Sequence, residues 1–189
     1  MFNALLKGTL LGGLVLFVWS SLAWTVLHLH DSALLRFTSE DAVTQAIVAN
    51  APQSGIYVAP AAANHTPGMS PDQIKAADQA AQDRIAKGPS VFASVRLGPM
   101  GSMAQYLIVQ VITCLLTALL ATLLLLKAKP LSYWGRVFFV VTIALTVAVA
   151  AYLPEWNWWS FSTTYTCLLF VDIIVAWFLA GLVIAKFAK

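Results

Sequence analysis

Residues 164–185 read TYTCLLFVDIIVAWFLAGLVIA, and this apolar stretch decides the class of fold. A helix needs about 20 mostly apolar residues to cross the ~30 Å hydrocarbon layer of a bilayer. Three further runs, 8–29, 103–126 and the slightly short 137–153, have the same character. The sequence therefore predicts a mainly α-helical integral membrane protein with four transmembrane helices.

The overall composition agrees with a membrane protein. Of 189 residues, 60% are hydrophobic and 10% are charged, whereas a soluble domain carries about 25% charged residues. The formal net charge is +3, and no basic run or stacking platform indicates nucleic acid as a partner. Membrane lipids are the first partner that the sequence predicts.

Hydropathy divides the chain into three segments. Residues 1–30 hold the first transmembrane helix, 31–102 form a polar insert, and 103–189 hold helices two to four. Ser21 and Ala23 resemble a signal-peptide cleavage site, but the apolar run continues past them. We therefore expect the first span to be uncleaved.

Basic residues near the ends of the spans predict the orientation. With four spans, six Lys and Arg side chains fall on one side of the membrane, which the positive-inside rule assigns to the cytoplasm. These residues are Lys7, Lys127, Lys129, Arg136, Lys186 and Lys189. We expect a multi-pass protein of a bacterial inner membrane, with both termini in the cytoplasm and the insert in the periplasm.

The insert has the pattern of a small α+β unit. One helix is predicted to end before Pro52, and Ser70 with Gln73 predicts a capping box at the start of a second. The β-favouring runs 55–59 and 91–97 predict two strands that pair as a ribbon. Because large apolar side chains are few, we expect the insert to have a thin core and to rest on the membrane surface, on the tops of the spans or on another protein.

Asp172 is the sharpest polar feature, because it lies about nine residues into the fourth span, near mid-bilayer. An ionised acid costs several kcal/mol there, so Asp172 is expected to face protein or water. No Lys, Arg or His is expected at the same depth. The predicted partners are polar side chains of spans two and three: Gln110, Thr113, Thr117, Thr142 and Thr146. Three roles stay open for Asp172: a neutral acid that joins helices by hydrogen bonds, a proton or cation site, and a contact with a partner subunit.

The histidines do not predict a metal or haem site. His28 and His30 are two residues apart, which places them on different faces of a helix. We favour the interpretation that both histidines lie in the water around the lipid headgroups. The alternative is a weak surface metal site that they form with Asp31 and His65. Spans two to four contain no histidine, which argues against a haem held between helices. The sequence predicts no metal and no cofactor.

The loop after the third span is unusually aromatic. Tryptophan favours the membrane interface, so an interface anchor is the default interpretation. The number of rings makes a docking surface for another protein or an apolar ligand the alternative. The rings assigned to this surface are Trp156, Trp158, Trp159 and Phe161, with Trp19 and Trp24 of span one.

Span one begins with KGTLLGG at 7–13, in which Gly8 and Gly12 form a small-xxx-small pattern. Such a pattern permits close helix packing, either within the chain or against a partner. Together with SGIY at 54–57, WNWW at 156–159 and Asp172, this motif resembles a group of small, uncharacterised bacterial inner-membrane proteins with four spans. The resemblance covers most of the chain and implies a bacterial envelope location, but it brings no known activity.

No Gly-rich phosphate loop, HExxH, CxxC or plausible Ser/His/Asp set occurs, so the sequence does not predict an enzyme. The function it favours is a non-catalytic accessory subunit of a larger inner-membrane complex. Such a subunit would dock through its insert, its aromatic loop and its spans, with other integral membrane subunits as partners. The alternative is a small homo-oligomeric transporter or channel, coupled to protons or a solute through Asp172.

Overall fold

The computed structural model describes residues 2–128 and 130–188 and is mainly helical. Met1, Lys129 and Lys189 lie outside the described residues. Lys129 and Lys189 are two of the six basic residues from which the orientation is predicted. In chain order the elements are α1 (Phe2–Thr25), α2 (Glu40–Asn50), β1 (Gly55–Ala59), α3 (Pro71–Lys87), β2 (Val91–Val95), α4 (Met103–Lys127), α5 (Tyr133–Trp158) and α6 (Thr163–Phe187).

These elements form two compact units. The described residues of 1–35, 101–157 and 161–189 make a helix bundle from α1, α4, α5 and α6. The insert unit consists of Arg36–Met100 together with Trp158–Ser160. It holds α2, α3 and the two strands.

Four helices, α1, α4, α5 and α6, are long and apolar enough to span a membrane. This finding confirms the prediction of a helical protein with four candidate spans. Helix boundaries differ from the apolar runs by up to six residues. For example, α1 ends at Thr25 instead of reaching residue 29, and α5 continues through Pro154 to Trp158. The reason is that hydropathy marks the residues that suit lipid, whereas a helix ends where its backbone hydrogen bonds end.

In the bundle, α1 packs against both α4 and α6. A Cβ atom added at Gly8 would lie 2.7 Å from Thr122 Cγ2, and one added at Gly12 would lie 2.7 Å from Ile184 Cγ1. Both distances are too short for a real side chain, so glycine is what permits the close approach of these helices. The small-xxx-small pattern thus packs within the chain, against α4 at Gly8 and against α6 at Gly12.

The insert unit contains the two-stranded sheet that the sequence predicts. β1 and β2 pair antiparallel, with Tyr57 opposite Ala93 at the centre of the register. α3 begins with the predicted capping box: Gln73 N donates to Ser70 Oγ over 3.3 Å, and Ser70 N donates to Gln73 Oε1 over 2.8 Å. Pro71 occupies the first helical position, where the missing backbone N–H costs nothing.

Candidate functional site

Asp172 lies inside the bundle and is paired. The indole Nε1 of Trp19, on α1, donates a hydrogen bond of 2.6 Å to Asp172 Oδ1. The Asp172 side chain is 18% exposed, so most of its surface is covered by other residues of the chain. The contact joins α1 to α6 through a side-chain hydrogen bond.

His30 approaches the same carboxyl group from the chain that follows α1. Its Nε2 lies 3.5 Å from Asp172 Oδ2, and its side chain is only 1% exposed. The imidazole ring stacks on the indole of Trp24, with centroids 3.9 Å apart and planes 7° from parallel. Among the described residues neither ring nitrogen makes a hydrogen bond, and Asp172 Oδ2 lies within ion-pair distance of Nε2.

A tight turn brings His30 to this position. After Thr25 the chain folds back, because Leu27 N donates to Leu22 O over 2.8 Å and Leu29 N donates to Ala23 O over 3.1 Å. His28 takes a positive φ of 50°, which a residue with a side chain rarely adopts. The turn returns residue 30 toward the bundle instead of continuing the axis of α1.

The predicted partners of Asp172 are therefore wrong. Asp172 contacts Trp19 and His30, and a histidine does reach its depth, contrary to the sequence-based expectation. The threonines satisfy their hydroxyl groups with carbonyls of their own helices, a common arrangement for Thr inside a helix. These residues are Thr113, Thr117, Thr142 and Thr146.

Gln110, Thr113 and Thr117 line a cavity in the bundle instead. This cavity has a volume of about 530 Å³ and is bounded mainly by α4 and α5, with Leu16 of α1 and Trp177 of α6 also lining it. Gln110 Nε2 donates weakly to Ser20 Oγ over 3.5 Å. The walls are mostly apolar, so this cavity presents few groups that could hold a polar ligand.

The other two histidines do not join His30. His28 is largely exposed, and its Nδ1 lies 3.2 Å from Asp31 Oδ2. In the insert unit, His65 Nε2 lies 2.8 Å from Asp78 Oδ1. The expectation that His30 lies in headgroup water is wrong, since the ring is buried. Among residues 2–128 and 130–188, no group of three or more His, Cys, Asp or Glu side chains is placed to hold a metal ion.

The aromatic segment is largely helical rather than a loop. Trp156 and Trp158 belong to the last turns of α5, and Trp156 Nε1 donates to Thr163 Oγ1 over 3.1 Å. Within the insert unit, Trp159 packs on Phe92 with ring centroids 4.9 Å apart. Phe161 packs on Tyr165 with centroids 5.9 Å apart.

Trp19 and Trp24 of α1 have partners within the bundle. Trp19 is turned toward Asp172, and Trp24, which is 43% exposed, stacks on His30. The sequence placed both tryptophans in an interface set because tryptophan is common at membrane surfaces. What distinguishes them is the buried acid and imidazole beside them, which hydropathy alone does not reveal.

The cluster of Trp19, Trp24, His30 and Asp172 holds α1, the following turn and α6 together. It does so through the Trp19–Asp172 hydrogen bond and the stacking of the His30 ring on Trp24.

The fold and this cluster together define a helical protein with four candidate membrane spans, in which a buried imidazole lies beside a partly buried carboxyl group. Comparisons with protein-family models, with curated proteins and with solved structures found no match to the chain. Its function is therefore argued from its own residues.

Proposed function

We propose that the protein is a non-catalytic accessory subunit of a larger bacterial inner-membrane complex. The observation that carries the proposal is the composition of the insert unit. Among its described residues, the apolar side chains classed as buried are those of Ala51 and Ala81. Many of its large apolar side chains are exposed, among them Phe37, Val48, Ile56, Val58, Ile85, Val91, Leu97 and Met100. A unit that exposes many large apolar groups and buries alanine is suited to covering by a partner.

The ribbon supports docking by its geometry. Val58 pairs with Phe92 and Ile56 pairs with Ser94, and directly opposed residues of an antiparallel pair point to one face. Ile56 on that face is 60% exposed. The face therefore offers apolar side chains at regular spacing to another protein surface.

The edges of the ribbon support the same conclusion. A two-stranded sheet leaves one edge of each strand unpaired. The strands GIYVA and VFASV contain no charged residue and no proline, which are the devices that natural edge strands use against unwanted pairing. An extended segment of a partner can add to such an edge through backbone hydrogen bonds.

The location in the proposal rests on charge. The Lys and Arg residues beside the spans favour termini in the cytoplasm and an insert in the periplasm, as the positive-inside rule describes. The insert itself carries both signs of charge, as a translocated segment can. In this arrangement the exposed ribbon meets partners on the periplasmic side.

Site-specific photo-crosslinking in cells tests the docking role. A photoreactive residue at Ile56 is expected to give one discrete crosslinked product, and the same residue at the exposed Lys75 of α3 is expected to give none. Ile56→Lys is expected to remove the partner from a mild-detergent purification, whereas Lys75→Gln retains it. A monomer recovered alone from cells, with equal crosslinking at both positions, would contradict the proposal.

The second candidate is a proton-coupled transporter or channel centred on Asp172. The specific observation in its favour is the buried imidazole of His30, 3.5 Å from the carboxyl group. Asp172→Asn keeps an oxygen to accept the Trp19 N–H but removes the titrating group. A proton flux in proteoliposomes that this substitution abolishes would support the candidate, and flux equal to that of empty vesicles would exclude it.

A further inference from the structure

One end of the helix bundle collects positive charge. Of the 11 Lys and Arg residues in the chain, six lie next to this end in sequence. No acidic residue occurs in 1–30, 103–154 or 173–189, which hold α1, α4 and most of α5 and α6. The described members of this basic end are Lys7, Lys127, Arg136 and Lys186.

Helix packing brings these residues together. Residues near the start of α1 contact residues near the ends of α4 and α6, since Gly8 faces Thr122 and the Lys7 ammonium lies 5.6 Å from the centre of the Phe187 ring. Residues near the start of α5 contact those near the end of α6, since the Tyr133 hydroxyl donates to Leu182 O over 3.0 Å. The starts of α1 and α5 and the ends of α4 and α6 therefore share one end of the bundle.

Arg136 lines a pocket of about 250 Å³ at this end. Its Nη1 donates to Leu131 O over 3.1 Å, which fixes the guanidinium group. Its Nε is buried and has no hydrogen-bond partner in the described part of the chain. A buried donor without an acceptor is costly, so this N–H is suited to an acceptor from outside the chain. The remaining walls are apolar: Leu125, Leu126, Ala128, Pro130, Leu131 and Ala188.

We propose that the basic end binds the phosphate of an anionic phospholipid headgroup, with Arg136 as the central ligand. Phosphate oxygens match the forked donors of a guanidinium group and need neutralisation by nearby cations. The apolar walls, at the end of four candidate spans, match the adjoining glycerol and acyl groups. A bilayer lipid brings both parts in one molecule, and basic pockets between transmembrane helices bind such headgroups. This inference is independent of the proposed docking role.

The test is a titration of the purified full chain in detergent with lipid. The rise in its thermal unfolding temperature at each lipid concentration reports binding. Phosphatidylglycerol is expected to bind more tightly than phosphatidylcholine. Arg136→Gln is expected to weaken the apparent affinity for phosphatidylglycerol about fivefold, which is the usual effect of one basic residue near an anionic surface. Its affinity for phosphatidylcholine is expected to stay unchanged. The matched control, Arg84→Gln in the exposed part of α3, should bind both lipids as the original chain does.

Lys186→Gln provides a second variant, because this exposed lysine carries charge at the same end without lining the pocket. It is expected to weaken phosphatidylglycerol binding about fivefold as well, and it keeps the test decisive if Arg136→Gln fails to fold. Equal affinity for the two lipids would overturn the proposal, and so would a phosphatidylglycerol preference that survives both substitutions. Stabilisation by inorganic phosphate as strong as that by the lipid would overturn the assignment to a headgroup.

Discussion

Trp19 Nε1 lies 2.6 Å from Asp172 Oδ1, and this hydrogen bond joins the first and last helices of the bundle. A carboxyl group in an apolar interior is tolerated when donors satisfy it. Trp19 supplies the donor, and His30 provides a second polar neighbour on the other carboxyl oxygen. The position of Asp172 in an apolar span is thus explained by two residues that lie more than 140 positions earlier in the chain.

The first prediction concerns the Trp19 hydrogen bond. Trp19→Phe keeps an aromatic ring but removes the N–H, which leaves Asp172 Oδ1 without its donor. We expect the free energy of unfolding in detergent to fall by about 1–3 kcal/mol. Trp134→Phe is the control, because Trp134 is exposed and its ring packs on those of Tyr133 and Phe138. Equal losses in the two variants would show that the Trp19 indole N–H adds nothing.

The second prediction concerns the coupling of His30 and Asp172. In a double-mutant cycle with His30→Gln and Asp172→Asn, we expect the two changes to be non-additive by about 0.5–3 kcal/mol, as for residues in contact. His28→Gln with Asp172→Asn is the control cycle, since His28 is paired with Asp31 instead. Thermal unfolding of the four chains of each cycle provides the measurement. Additivity in the His30 cycle would mean that the 3.5 Å approach carries no energy.

Hydropathy and capping chemistry were enough to predict the elements of this fold. The apolar run 164–185 becomes α6 at Thr163–Phe187, and the Ser70–Gln73 signature becomes the start of α3. Both signals are local, since each depends on residues within a few turns of one another.

The surroundings of Asp172 could not be predicted in the same way. They depend on a turn in which His28, a residue with a side chain, adopts a positive φ. No glycine marks that turn, so the sequence suggested that span one runs on to residue 29. The stacking of Trp24 on His30 could not be predicted for the same reason, because His30 reaches Trp24 only through the reversal of the chain.

The third prediction sets packing against helix propensity. A Cβ atom at Gly13 would lie 2.8 Å from Leu115 Cδ2 and 3.1 Å from Leu115 Cα, a backbone atom that cannot move alone. Gly13→Ala is therefore expected to destabilise the bundle by about 1–3 kcal/mol, although alanine is the better helix former. In α6, Gly181→Ala meets nothing closer than 3.4 Å and is expected to be neutral or stabilising. Thermal unfolding distinguishes the two, and a stabilised Gly13→Ala chain would contradict the close approach of α1 and α4.

The fourth prediction compares two threonine hydroxyl groups in the bundle. Thr9 Oγ1 is buried and has no hydrogen-bond partner in the described residues, whereas Thr122 Oγ1 donates to Ala118 O over 2.7 Å. Thr9→Val removes an unsatisfied polar atom and is expected to raise the free energy of unfolding by up to about 1 kcal/mol. Thr122→Val removes a satisfied hydroxyl group and is expected to lower it by about 0.5–1.5 kcal/mol. The two substitutions replace the same group with the same methyl, so their opposite signs isolate the hydrogen bond. A loss of stability at Thr9 as large as that at Thr122 would mean that its hydroxyl has an acceptor after all.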